Sequence, residues 1–73
     1  MLKISLAAAR VNCSMTQQEA ADSLHVSKKT IQNWERGCSY PNAMMIDAIC
    51  NLYGVPMDNL LFLRQNNALS VKR

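Results

Sequence analysis

Aromatic residues are scarce in this chain, at 5% of its 73 positions, so any core must be assembled from Leu, Ile, Val, Met and Ala. Histidine occurs once, at His25, which leaves no histidine pair for a metal and no sequence neighbour to work with it in acid–base chemistry. The cysteines, Cys13, Cys38 and Cys50, are odd in number and include no C-x-x-C pair. That pattern argues against a disulfide framework or a zinc site and fits a reducing compartment. No run approaches the roughly 18 apolar residues of a membrane helix. Residues 1–10 imitate a signal peptide only faintly, because Arg10 and Asn12 interrupt the apolar run. Acids at paired spacing and a glycine-rich phosphate loop are both missing, so no enzyme, cofactor or metal is expected. The absences together predict a soluble cytoplasmic protein.

Hydrophobic residues make up 49% of the chain, an ordinary share for a globular domain. The length allows one small domain, which buries only about 60% of the surface its unfolded chain exposes. Eight Lys and Arg against five Asp and Glu give a net charge of +3 and a pI near 9.0. That balance favours an acidic partner such as nucleic acid, although charge by itself is a weak signal.

Apolar residues recur at helical spacing, with no sustained alternation of period two, so the fold class is all-α. A first helix is predicted over 5–12 with Leu6, Ala9 and Ala8 inward, broken by Asn12-Cys13-Ser14. Thr16-Gln17-Gln18-Glu19 has the form of a capping box and opens a second helix ending near Leu24, with Ala20, Ala21 and Leu24 buried. Only His25 and Val26 separate it from Ser27, an N-cap for a third helix that Gly37 closes after Arg36. Asn42 caps a fourth helix over 43–53, with Ile46, Ile49, Cys50 and Tyr53 on one face, and Gly54 ends it. Pro56 and Asp58 suit the first turn of a fifth helix reaching Leu63. The domain is predicted over 1–63, and residues 64–73 form a polar tail expected to fray.

On a wheel of about 100° per residue, Lys28, Lys29, Gln32, Asn33 and Arg36 fall within an arc of about 140°. Ile31 and Trp34 occupy the opposite half, with Thr30 and Glu35. One face packs while the other offers cations and amides suited to phosphates and to base edges in a major groove. A helix, a tight turn and a second helix with such a face match the helix-turn-helix plan.

Thr16-Gln17-Gln18-Glu19-Ala20-Ala21, Leu24-His25-Val26-Ser27-Lys28-Lys29-Thr30-Ile31 and Trp34-Glu35-Arg36-Gly37 together resemble the phage-repressor and Cro-type helix-turn-helix family. The ending Tyr53-Gly54-Val55-Pro56-Met57-Asp58-Asn59-Leu60-Leu61 is similar to that family's usual close. The resemblance spans roughly residues 2–63. It implies a compact five-helix domain whose third helix reads DNA. By position, Ser27, Lys28, Lys29, Gln32 and Asn33 match the base-reading stretch. Gln17, Arg36, Ser39, Tyr40 and Asn42 match phosphate contacts. The resemblance also pairs Arg10 with Glu35 across the first and third helices. Two departures stand out: His25 occupies a turn position usually held by glycine, and Pro56 replaces the small residue common before the fifth helix.

The implied function is sequence-specific regulation of transcription, of the phage, prophage or mobile-element repressor kind, without catalysis. The expected partner is double-stranded DNA with a dyad-symmetric operator, bound by a homodimer whose contact draws on Met57, Phe62 and Leu63. The alternative is an antitoxin-like module that binds and neutralises a partner protein.

Overall fold

The computed structural model describes residues 3–62. Side-chain caps start each of its four helices. Ser5 Oγ accepts the Ala8 amide at 3.1 Å and opens α1 (Leu6–Asn12). At α2 (Gln17–Leu24) the capping box is complete: Glu19 N–H donates to Thr16 Oγ1 at 3.0 Å, and Thr16 N–H donates to Glu19 Oε1 at 2.8 Å. Ser27 Oγ accepts the Thr30 amide at 3.1 Å to open α3 (Lys28–Arg36). Asn42 Oδ1 accepts the Met45 amide at 2.9 Å to open α4 (Ala43–Tyr53). Gly37 and Gly54 end α3 and α4 at φ +81° and +69°, left-handed conformations that glycine adopts without steric cost.

The end of the domain departs from the five-helix expectation. Pro56 does not begin a helix reaching to Leu63. It precedes one 3-10 turn, Met57–Asn59, after which Leu60 becomes extended at φ −85° and ψ 131°. Leu60–Leu61 (β2) then pairs in parallel with Ile4–Ser5 (β1), Ile4 opposite Leu60 and Ser5 opposite Leu61. Lys3 Nζ donates to the Asp58 carbonyl at 3.0 Å and adds a second tie between the two ends. Leaving the helical path lets Leu60 drop into the core, where it is 4% exposed, while its backbone pairs with Ile4 at the other end of the domain. The fold is therefore mainly helical, with four helices and a two-stranded parallel clasp. Leu63 and the polar tail lie outside the described residues.

The core takes something from each helix and from the strand pair. Leu6 and Ala9 of α1 meet Ile31 and Trp34 of α3, Ile49 and Tyr53 of α4, and Leu60 of β2. Ala20 and Ala21 are wholly buried, so their small side chains let α2 lie close against α3. Trp34, 7% exposed, belongs to this core and is not available to stack on a base. Three positions differ from the helical reading. Ala8 is exposed, and Ile46 and Cys50 are half-buried while Ile49 and Tyr53 carry the inner face of α4. The wheel placed the apolar side correctly but could not tell its centre from its margins.

The turn between α2 and α3 is set by His25, at φ +59° and ψ 40°. This left-handed residue sends the Val26 amide back to the Ala21 carbonyl at 3.0 Å, so the chain reverses within two residues and Ser27 can cap at once. A side chain in this region costs roughly 1 kcal/mol. The variant His25→Gly is expected to raise the melting temperature, by about 0.5–1 kcal/mol of stability after the greater freedom of glycine in the unfolded chain is subtracted. A lower melting temperature would show that His25 gains more from its surroundings than its backbone loses.

Candidate nucleic-acid interface

α3 has a buried side and a polar side. Ile31 and Trp34 anchor it to the core, while Lys28, Lys29 and Arg36 stand exposed on the opposite surface. Gln32 and Asn33 share that arc and are half-buried rather than fully exposed. They therefore offer amide edges whose rotamers the neighbouring helices restrict. Ser27 is exposed at the N-terminus of the helix, and its hydroxyl is also 2.9 Å from Thr30 Oγ1. Past the helix, Cys38 N–H bonds to the Asn33 carbonyl at 2.9 Å, which turns the chain into a surface loop. Ser39, Tyr40 and Asn42 are exposed on that loop, with the Oδ1 of Asn42 committed to the α4 cap. The loop and the N-terminal residues of α3 together extend the polar surface beyond the helix itself.

The two residues that the resemblance pairs, Arg10 and Glu35, form a bidentate ion pair. Arg10 Nε donates to Glu35 Oε2 at 2.7 Å, and Nη2 donates to Oε1 at 3.3 Å. The third guanidinium nitrogen, Nη1, donates to the Met15 carbonyl at 2.8 Å. The side chains are only 14% and 7% exposed. The hydrogen bond to Glu35 raises the Arg10 pKa above its ordinary value, against the opposing effect of burial. Beside this pair, the buried Tyr53 phenol is pushed up to about 12, chiefly by desolvation and then by the Glu35 charge. It stays neutral at any physiological pH. α1, the loop before α2, and the end of α3 are thus tied at one point.

Gln17, the first residue of α2, joins the same network. Its Nε2 donates to Glu35 Oε1 at 3.0 Å, and its Oε1 accepts from Gln32 Nε2 at 3.4 Å. For Gln17 the resemblance implies a phosphate contact. Here one of its two amide protons is committed to Glu35. These links join residues 15 and 18 apart in the chain. No local spacing signals them; only the packing of α2 on α3 does.

Among the described residues, no group of three His, Cys, Asp or Glu side chains could hold a metal ion, and no helix is long and apolar enough to cross a membrane. What the geometry does present is a short, tightly turned helix pair whose second member displays cations and amides.

The family model described as Helix-turn-helix matches residues 6–60. The chain belongs to the helix-turn-helix family. Among its relatives is the HTH-type transcriptional activator BcrR of Enterococcus faecalis, 36% identical over 52 residues. That alignment covers 71% of this chain but 26% of the relative, so the chain spans about a quarter of that protein's length. No solved structure matches.

Breaking the Arg10–Glu35 pair from either side strands a charge in a nearly closed site. Arg10→Met and Glu35→Gln are each expected to cost about 3 kcal/mol in denaturant unfolding. Their double-mutant cycle should give a coupling above about 1 kcal/mol. A coupling near zero would mean that the two charges are solvated separately and that α3 is held by its apolar side alone.

Proposed function

We propose that the chain is a sequence-specific, double-stranded-DNA-binding regulator of transcription that lays α3 in the major groove. The observation that carries this reading is the polar side of α3, with Lys28, Lys29 and Arg36 exposed and Gln32 and Asn33 beside them, opposite the buried Ile31 and Trp34. Ser27, Lys28, Lys29, Gln32 and Asn33 are the base readers in this account. Arg36, Ser39, Tyr40 and Asn42 hold the backbone, and Gln17 contributes through its position at the start of α2, where unpaired backbone N–H groups and the helix dipole favour an anion. The docking geometry is the one general to helix-turn-helix proteins.

The regulator is of the phage, prophage or mobile-element repressor kind and works in the cytoplasm. The relative's name identifies that protein as an activator. For this chain, the position of the operator relative to the promoter sets the sign. One α3 reads only a few base pairs, too few to pick a site out of a genome. The protein therefore acts as a homodimer on a dyad-symmetric operator, its two α3 helices about 34 Å apart in successive grooves. Exposed apolar residues at the far end, Met57 at 56% and Leu61 at 44%, supply candidate contact surface. Phe62 is half-buried against the core and lines a groove with Tyr40, Pro41 and Ile46, which leaves part of its ring for a second copy. Leu63, the third residue expected there, is outside the described residues.

Selection of bound duplexes from a random pool is expected to return a motif with a dyad. Against that motif, Lys29→Ala and Gln32→Ala should each cost about 1–3 kcal/mol and relax preference at one base pair per half-site. Arg36→Ala should weaken all sequences alike and flatten the dependence of affinity on salt. If both α3 variants kept wild-type affinity and wild-type preference, α3 would not be the reading element.

A further inference from the structure

We propose that Glu35, a largely buried residue of α3, fixes the polarity of the Gln17–Gln32 amide pair and thereby makes Gln32 a reader of adenine. The inference rests on the DNA-reading function proposed above and adds to it which base is read and why.

An ionised carboxylate only accepts hydrogen bonds. Arg10 donates to both oxygens of Glu35, so each oxygen acts here as an acceptor. Only the nitrogen end of Gln17 can therefore face Glu35 Oε1, and it does so at 3.0 Å. The oxygen end of Gln17 must then point the other way, where it can only accept. Gln32 consequently turns its own nitrogen toward Gln17, at 3.4 Å. The direction of donation runs without a break from Gln32 to Gln17 to Glu35.

This direction decides what Gln32 has left to offer. One N–H goes to Gln17, so the remaining N–H and the Oε1 form a donor–acceptor pair. That pair matches the N7 acceptor and N6 amino donor that adenine presents in the major groove. With the polarity reversed, Gln17 would donate to Gln32 Oε1, occupying one of its two lone pairs and freeing both N–H groups of Gln32. Two free donors suit guanine, whose O6 and N7 are both acceptors. Glu35 is thus a positioning residue for base choice, and Gln17 is the element that transmits its direction. The half-buried state of both glutamines limits the alternative rotamers by which the pair could escape this arrangement.

The test is bound-duplex selection with the full chain, comparing wild type with Gln32→Ala, Gln17→Met and Glu35→Gln. Gln32→Ala locates the base pair that Gln32 reads, and wild type is expected to prefer adenine there. Gln17→Met keeps a side chain of similar length and leaves the Arg10–Glu35 pair in place. It should lower the adenine preference at that one pair by roughly tenfold, while any loss at other positions is uniform. Glu35→Gln can donate to Gln17 and permits the reversed polarity, so the preferred base at that pair should shift from adenine toward guanine. Circular dichroism at the selection temperature establishes that this variant is folded, and Gln17→Met decides the matter if it is not. A wild-type preference for a base other than adenine at the located pair, or a preference that survives Gln17→Met intact, overturns the inference. A wild-type chain that selects no motif overturns the DNA-reading function itself, a separate and recognisable result.

Discussion

Arg10 and Glu35 meet where three segments converge: the last turn of α1, the loop carrying Met15, and the C-terminal turn of α3. A buried ion pair of this kind gains little net stability, because desolvating both charges offsets most of their attraction. Its value is directional. The planar guanidinium engages the carboxylate with two nitrogens and a carbonyl with the third, so the apolar contacts of Ile31 and Trp34 cannot slide or rotate without breaking charged hydrogen bonds. The polar surface of α3 inherits its orientation from that constraint, and so does the glutamine pair at its edge.

Charge on the reading face is modest. The protein carries eight Lys and Arg, of which α3 exposes three, and its net charge is only +3. Non-specific attraction to the phosphate backbone is correspondingly limited, since each neutralised phosphate contributes one released counterion. In the proposed mode of reading, discrimination rests on the amides of Gln32 and Asn33 and on the preorganisation of their side chains. A half-buried amide already bonded to its neighbour loses less rotamer freedom on binding than a free surface glutamine does. The limited charge of one domain is also why two copies on one duplex are central to the proposed mode of action.

Most of the helix-turn-helix was legible in the sequence, because its boundaries are written in local chemistry. Thr16 with Glu19, then Ser27, Asn42, Gly37 and Gly54 each act within three or four residues of themselves, and each sits at the cap it signals. His25 was equally readable, since a two-residue link between helices leaves few backbone paths. The end of the domain was not. Pro56 and Asp58 open a 3-10 turn as readily as an α-helix, and what ends it is the pairing of Leu60 with Ile4, a contact between opposite ends of the domain. The candidate site divides in the same way. The cations and amides of α3 follow from a helical wheel, whereas the bonds of Gln17 to Glu35 and Gln32 exist only once α2 lies on α3. Gln17, matched by resemblance to a phosphate contact, spends one amide N–H on Glu35 within the domain.

The account stands or falls on whether α3 is the surface that meets DNA. Titrating the isotopically labelled chain with a duplex carrying its selected motif, and following backbone and side-chain amide resonances by NMR, addresses this residue by residue. The account predicts the largest shifts at the amides of residues 27–33 and at the side-chain NH2 groups of Gln32 and Asn33, with a scrambled duplex moving the side-chain signals far less. Shifts confined to the Tyr40, Ile46 and Phe62 groove, with α3 unmoved, would contradict it.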